Sequence, residues 1–461
     1  MSTTVAGAFL EQLQRELPRM RLLIDPADTE GYRFDETEYL HPGQPIGVCF
    51  PSSVAQVSTI VRLAATHRVP LVPRGAGSGL SGGAIAVDGA LTVVLTAMDR
   101  IMEIDRSNLV AVVQPGVINA DLGRAVAEHG LFYAPDPASY EWCTIGGNLA
   151  ENSGGLRCVK YGVTRDFVLG LEVVLADGAV IRTGGKNIKD VAGYSLTGLF
   201  VGSEGTLGII TEATLRLLPA PAAKLTLLCF FATVRAAGDA VAAMTQQGLV
   251  PVTLELMDRF TIRAVDDAHR LGLDREAGAM LMIESDAPGR AGADEIDRAA
   301  VACEVAGATS LVRAANAAEA DWLRQARRAA HGSLERAGVA RMDDVGVPRG
   351  RIPEMLSAIE RVSAAHGLPV GVFGHAGDGN LHPTFVVDRD DPTAETRINA
   401  ARAEIYRAAV DLGGTITGEH GTGVAKRGFL EMQRGPDAVR AMRAIKSALD
   451  PLGILNPGKV L

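Results

Sequence analysis

The sequence predicts an α+β protein of more than one domain, and three observations carry that prediction. In the second half, alanine-rich helical patterns alternate with strands, the pattern of an antiparallel sheet layered with helices. The 52 glycines fall unevenly, in clusters at 75–83, 146–155, 184–208, 371–379 and 413–423. Glycine clustered among short apolar strands marks tight turns or close approach of backbone to a ligand. Five clusters suit one large ligand touched by many loops, although a merely loop-rich protein would share them. The chain of 461 residues is too long for one compact core, and Pro219-Ala-Pro221 is the best candidate boundary.

The elements follow in order. Residues 6–17 read as a short amphipathic helix, and 46–50 as a strand. Pro51-Ser-Ser53 opens a helix to about 67, with Val54, Val57, Val61 and Ala64 on one face. Strands are expected at 69–72, 91–95 and 109–113, and a helix at 119–129 ending at Gly130. Strands 170–176 and 179–183 flank Asp177-Gly178, a hairpin signal, and 207–218 is a strand. Beyond the prolines, helices are expected at 234–247, 291–306, 317–337, 352–366 and 393–412. Strands are expected at 225–231, 252–257, 279–284, 308–313, 341–347, 369–375 and 380–387. A last helix spans 436–448.

Composition narrows the class. Hydrophobic residues make up 47% and charged residues 21%, with a net charge of −9 and no Lys/Arg run. This fits a globular protein and argues against nucleic acid as partner. No basic leader with an apolar core opens the chain, and no apolar stretch approaches the ~20 residues that span a bilayer. Cys49, Cys143, Cys158, Cys229 and Cys303 are odd in number and scattered without a CxxC. Reduced thiols in a cytoplasmic setting, with no iron–sulfur framework, are expected.

Two stretches carry chemistry. In Gly371-Val-Phe-Gly-His-Ala-Gly-Asp-Gly-Asn-Leu-His-Pro383 an Asp-Gly pair separates apolar runs. If Asp378 and Gly379 form a two-residue loop, His375 stands directly opposite His382, with Cβ atoms roughly 4.5–5.5 Å apart on one face. Two imidazoles so placed can share a metal ion, and Glu419 in Thr417-Gly-Glu-His-Gly-Thr422 offers a third ligand. Two His and a carboxylate with an open position describe a catalytic metal site. A plain hairpin with two ordinary histidines is the alternative. If Glu419 and His420 lie on a strand they face opposite ways, so the flanking glycines must bend the backbone.

The other stretch is Pro73-Arg-Gly-Ala-Gly-Ser-Gly-Leu-Ser-Gly-Gly-Ala84. Successive glycines let N–H groups converge on an anion, and Arg74 adds charge for a diphosphate. Gly77, Gly79 and Gly82 satisfy GxGxxG, but no amphipathic helix follows, so a Rossmann reading fails.

This loop resembles the diphosphate loop of vanillyl-alcohol-oxidase type FAD-binding domains. Similar signatures follow in order at Tyr133-Ala-Pro-Asp-Pro137, Thr144-Ile-Gly-Gly-Asn-Leu-Ala-Glu-Asn-Ser-Gly-Gly155, Lys160-Tyr-Gly-Val-Thr164 and Gly202-Ser-Glu-Gly-Thr-Leu-Gly-Ile-Ile210. The histidine hairpin, Gly418-Glu-His-Gly421 and Asn456-Pro-Gly-Lys459 complete the set. Over residues 40–461 the chain resembles FAD-linked D-2-hydroxyacid dehydrogenases: the glycolate oxidase flavin subunit, D-lactate dehydrogenase and D-2-hydroxyglutarate dehydrogenase.

The resemblance implies an N-terminal helical segment (1–37) and a PCMH-type FAD-binding domain of two α+β subdomains (38–218). A cap domain with an antiparallel sheet carries the metal site (219–449), and a C-terminal segment returns to the flavin (450–461). It implies flavin contacts from Arg74, Gly75, Ala76, Gly77, Ser78, Gly79, Ser81, Pro135, Asp136, Thr144, Gly147, Asn148, Asn152, Ser153 and Gly155. Tyr161, Gly162, Thr164, Glu204, Gly208, Ile209 and Asn456 complete these contacts, with weaker claims for Lys189 and Tyr194. No histidine lies within 73–84, so FAD is expected to be non-covalent, with Cys143 packing rather than tethering.

The implied reaction is metal-assisted oxidation of glycolate or D-lactate by hydride transfer to flavin N5. His375, His382 and Glu419 are the expected ligands of zinc, with manganese or iron as alternatives. His420 is the expected base and Arg327 the carboxylate binder, with Arg324 and Arg328 also open. Asn380 binds substrate or holds the hairpin, and Asp378 is a turn residue. The rivals are D-2-hydroxyglutarate oxidation, a non-redox ether-lipid synthase and a non-catalytic FAD subunit. The electron acceptor, a quinone or a partner subunit, stays open, as do a homodimer and a place at the inner face of the membrane.

Overall fold

The structure is a computed structural model that describes residues 3–37, 39–222 and 224–461. The chain forms two compact units: Met1–Ser153, Val163–Ala220 and His420–Leu461 make the first, Gly154–Gly162 and Pro221–Glu419 the second. The C-terminal 42 residues, expected partly in the cap, thus belong to the first unit from His420 onward. The expected boundary at residue 38 falls on Glu38, outside the described residues.

Among the described residues the first unit holds two larger sheets and a short antiparallel pairing of Leu131–Phe132 with Leu218–Pro219. In one, β1 (Arg21–Leu23), β2 (Gly47–Phe50), β3 (Leu71–Arg74) and β4 (Leu91–Val94) take the order β1-β2-β4-β3. β4 runs parallel to both β2 and β3. Parallel pairing needs a crossover, supplied by helix α1 (Val54–His67), which starts where Ser53 caps the Gln56 N–H. The N-terminal helix Thr3–Glu16 packs Phe9 and Leu13 against Val57, Ile60 and Ala64 of α1. Ile454 and Leu455 enter the same core, and Leu455 bridges in parallel to Leu71. The other sheet is antiparallel, in the order β5-β6-β9-β7-β8, built of β5 (Ile101–Asp105), β6 (Val110–Val113), β7 (Val168–Val174), β8 (Val180–Gly184) and β9 (Ile209–Arg216). No helix follows the 75–83 glycines before β4, where a Rossmann fold would need one.

The second unit is an eight-stranded sheet. Its strands are β10 (Leu225–Phe231), β11 (Thr253–Asp258), β12 (Ala279–Ser285), β13 (Ala308–Arg313), β14 (Val339–Met342), β15 (Val370–His375) and β16 (Asn380–Val387). They run β13-β10-β12-β11-β15-β16-β14, with Val345–Gly346 also pairing β16. Helices cover both faces, which explains why β10, β12 and β16 are buried almost throughout rather than alternating. Helices Arg259–His269, Ala317–Arg328 and Ala330–Ala337 bury Ile262, Val265, Leu323 and Leu334 against Met257, Met280, Phe373 and Val386. The first of these was not foreseen, and the single helix expected over 317–337 breaks at Ala329. The last helix, Leu430–Leu449, breaks at Gly435 (φ 75°) before Pro436, so its regular part begins where expected. Among the described residues no helix is long and apolar enough to cross a membrane.

Candidate active site

The histidine hairpin differs from expectation in register. His375 pairs with Asn380 and Phe373 with His382, so the loop is the four residues 376–379. His375 O accepts from both Asp378 N and Gly379 N, and Gly379 adopts φ 90°. That is a tight turn closed by a left-handed glycine, the longer of the loops an Asp-Gly pair can serve. Asp378 is the turn residue expected, accepting from Asn380 N at 3.1 Å. The two histidines are therefore diagonal neighbours on one face, not direct partners. Their rings still meet, with centroids 5.2 Å apart and planes at 87°.

Glu419 joins them. Its Oε1 lies 3.1 Å from His375 Nε2 and 3.3 Å from His382 Nε2. Metal–ligand bonds of ~2.0–2.2 Å place tetrahedral ligand atoms roughly 3.3–3.6 Å apart, close to these two distances. The bend at Glu419 has a cause that the sequence did not reveal. Buried Asp344 accepts from Thr417 Oγ1 at 2.8 Å, Gly418 N at 2.8 Å and Glu419 N at 3.1 Å. One carboxylate thus gathers the donors of the loop and aims the next side chain. Asn380 is buried behind that loop; a Cβ on Gly418 would stand 2.3 Å from its Oδ1.

Two further groups back the triangle. Glu255, 1% exposed on β11, places Oε1 2.8 Å from His375 Nδ1. Arg327, 4% exposed, places Nη2 2.5 Å from Glu255 Oε2 and its guanidinium 5.0 Å from the centre of the Phe373 ring. The Arg327–Glu255 contact is an ion pair, not an aligned hydrogen bond, and Arg327 Nε and Nη2 have no aligned acceptor in the protein. Arg324 is committed to Glu284 and Asp321, and Arg328 is partly exposed. Burial alone would lower the pKa of His375, but the Glu255 and Glu419 carboxylates outweigh it and raise it well above the ordinary value. Burial would likewise raise Glu419, but His375 and His382 pull it far below the carboxylate range.

Gly154 forms the wall on the other side of Glu419. A Cβ there would come within 2.4 Å of Glu419 Oε2, while the Gly154 backbone is not left-handed. Gly154→Ala is therefore expected to displace the carboxylate without straining the main chain. Divalent-ion affinity should fall about 10–100-fold, measured by competition with a chromogenic chelator, with FAD content unchanged.

In the first unit the glycine loop is built around, not beside, Arg74. Its Nη1 donates to Phe34 O at 2.6 Å and Ala84 O at 3.3 Å, and a Cβ on Gly77 (φ 85°) would stand 2.0 Å from Nη2. The guanidinium thus holds the loop, where a diphosphate contact was expected. A Cβ on Gly75 would stand 2.3 Å from Thr144 Oγ1, which caps Gly147 N. Ala76, Ser78 and Gly79 are half-buried; Ser81 is fully buried.

The C-terminal segment fastens this loop from behind. Lys459 Nζ donates to Gly82 O and Ile85 O, and Asn456 Nδ2 to Gly83 O and Glu204 O. Glu204, expected at the flavin, spends both carboxylate oxygens on Thr422 N and Gly423 N, just past His420. Burial pushes it up to about 7. His420 itself is half-buried and starts the return to the first unit.

Most other expected flavin residues build walls. Asn119 Nδ2 links Pro135 O to Asn148 Oδ1, and Asn148 reaches Cys143 Sγ at 3.3 Å. Asp136 is buried. Asn152 accepts from Arg165 N, and Thr164 Oγ1 donates to Ser153 O. Gly208 packs on Val173, and Ile209 lies in the core. Gly155, Tyr161 and Gly162 belong to the second unit, where Tyr161 donates to Asp286 Oδ2 at 2.6 Å. Lys189 and Tyr194 lie on an exposed loop, with Tyr194 95% exposed. Ser81 Oγ, Tyr133 Oη and Asn456 Oδ1 are buried without a partner in the protein, as an additional polar ligand requires. With the glycine cradle, these residues fit FAD.

A two-domain flavin-binding architecture with a His/His/Glu triangle is the class these features define. The chain belongs to the FAD-linked oxidase family and is an FAD-dependent oxidoreductase. The family described as FAD linked oxidases, C-terminal domain, matches residues 220–460, and the FAD binding domain family matches 45–184. Glycolate oxidase subunit GlcD of Bacillus subtilis (strain 168) is 46% identical over 93% of this chain and 91% of its own length. D-lactate dehydrogenase of Anaerostipes hadrus is 34% identical over 99% of this chain and 98% of its own. A structure of p-cresol methylhydroxylase with substrate bound superposes with a TM-score of 0.83 at 17% identity, over 100% of this chain and 97% of that one. The PCMH-type fold expected from the sequence is thereby borne out.

Proposed function

We propose that the protein oxidises a short-chain 2-hydroxy acid, glycolate or D-lactate, to the 2-oxo acid with the help of a divalent ion. The observation that carries this reading is the triangle of His375 Nε2, His382 Nε2 and Glu419 Oε1, whose ligand atoms all lie within 4.8 Å of one another. The names of the relatives, glycolate oxidase subunit and D-lactate dehydrogenase, support the substrate class.

When bound, FAD supplies the hydride acceptor and the ion a Lewis acid for the substrate's hydroxyl. The chain's own residues do the rest. His375, His382 and Glu419 supply three ligands to zinc or manganese. Arg327, held at one edge by Glu255, offers its remaining donors to the substrate carboxylate, which suits a planar fork. His420, one peptide bond from a ligand, takes the hydroxyl proton on an imidazole nitrogen. Buried Asn380 packs against Gly418, beside the ligands, as a candidate substrate contact. The relative named as a subunit supports a partner protein as electron acceptor.

A panel of D- and L-2-hydroxy acids with an artificial electron acceptor tests the reading. Glycolate or D-lactate should reduce the dye, D-2-hydroxyglutarate more slowly, and L-lactate not at all. Prolonged chelation should abolish the rate with FAD retained, and added Zn²⁺ or Mn²⁺ should restore it. An unchanged rate in protein shown to be free of metal would sink the metal-assisted mechanism.

A further inference from the structure

We propose that Glu255 is a positioning residue of the active site, which fixes His375 for metal binding and is shared with Arg327. The inference rests on the reading of His375, His382 and Glu419 as a metal centre.

Glu255 occupies a core position. β11 reads Thr253-Leu-Glu-Leu-Met-Asp258, with Leu254, Leu256 and Met257 all buried. An ionised carboxylate in such a place costs several kcal/mol unless fully paired, so its partners define its role. β11 pairs antiparallel with β15 through Leu256↔Gly374 and Met257↔Phe373; one step further puts Glu255 opposite His375. The side chain then divides between two partners: Oε1 lies 2.8 Å from His375 Nδ1, and Oε2 2.5 Å from Arg327 Nη2.

Each contact has a chemical consequence. A neutral imidazole carries one N–H, and the hydrogen bond on one nitrogen decides which nitrogen is the donor. A carboxylate at Nδ1 keeps the proton there and leaves the Nε2 lone pair for an ion, on the side where Glu419 Oε1 stands 3.1 Å away. It also makes His375 a more basic ligand. The contact with Arg327 holds the guanidinium at one edge, against the Phe373 ring. One carboxylate thereby sets both the metal ligand and the group proposed to hold the substrate carboxylate.

Glu255→Gln exposes this dual role because it keeps the shape. An amide can accept from only one of the two donors; its NH2 must face either His375 Nδ1 or Arg327 Nη2. Facing His375, it drives the proton to Nε2, where the ion binds. The test is competition between purified, FAD-loaded protein and a chromogenic chelator for Zn²⁺, with flavin absorbance and a thermal melt as folding controls. E255Q should weaken Zn²⁺ binding about 10–100-fold and raise KM for the 2-hydroxy acid, with FAD content preserved. E255D, which keeps the charge, should fall between E255Q and the parent. Zn²⁺ affinity in E255Q within about twofold of the parent would overturn the proposal while leaving the metal centre standing. A parent protein that binds no Zn²⁺ would overturn the metal-centre reading itself and this proposal with it. Should E255Q fail to load flavin, E255D decides alone: weakened binding supports the assignment, and parental affinity overturns it.

Discussion

Replacing Glu419 with Gln is expected to lower kcat/KM for the 2-hydroxy acid by about 10²–10³-fold while leaving the protein flavin-loaded. Glu419 is the single anionic member of the triangle, and its Oε1 lies within 3.3 Å of both imidazole Nε2 atoms. An amide of the same size retains an acceptor but loses the charge that compensates a divalent cation. A Lewis acid contributes several kcal/mol of charge stabilisation, and each 1.36 kcal/mol is a factor of ten in rate, so losing roughly 3–4 kcal/mol gives the stated drop. The main chain should not move, because Asp344 holds Gly418 N and Glu419 N independently of the side chain. Metal content by mass spectrometry should fall together with activity, and the melting temperature should change little. Full activity in a metal-free E419Q protein would remove the ion from the mechanism.

The contrast between Glu419 and the residues that aim it shows what the sequence could convey. The glycine clusters, the prolines near 220 and the apolar runs were legible because each is a local signal: a positive φ, a missing N–H, a continuous apolar stretch of strand length. The hairpin was legible as a hairpin, yet its register was not. An Asp-Gly pair serves both a two-residue loop and the longer loops seen here at 376–379 and at 176–178, where Leu175 N bonds Ala179 O. Only the packing of β15 between β11 and β16 decides between them. The two histidines met even so, because a diagonal pair on one face lies within reach of long side chains.

Glu255 and Asp344 went unseen for a different reason. Each acts on residues 73 or more positions away, and pairing at that distance leaves no local pattern. A faint signal did exist: a lone Glu inside the apolar run of β11, and the Asp343-Asp344 doublet beside a short strand. Buried acids among apolar neighbours call for partners. The flavin residues show the converse. Arg74, Asn456 and Glu204 were expected to touch the cofactor, and their side chains also hold backbone of the glycine loop and its neighbours.

His420→Ala is expected to separate proton transfer from binding. The base is proposed to take the hydroxyl proton while the ion and Arg327 hold the substrate, so its loss should fall on kcat. General-base contributions run at about 10²–10⁴-fold, and a drop of that size is expected with KM and Zn²⁺ affinity within about threefold of the parent. The loop should survive the change, because Glu204 grips Thr422 N at 2.7 Å and Gly423 N at 2.8 Å whatever stands at 420. The signature is in the pH profile. An imidazole base must be neutral to accept a proton, so kcat/KM in the parent should show a fall on the acid side. H420A should lose that limb and show a flatter, uniformly low profile that rises only as hydroxide or added imidazole takes the proton instead. Added imidazole restoring a measurable part of the rate would identify His420 as a proton acceptor. An H420A enzyme that keeps the parent's kcat and acid limb would assign the base to another group, and a loss of Zn²⁺ affinity would make His420 a fourth ligand instead.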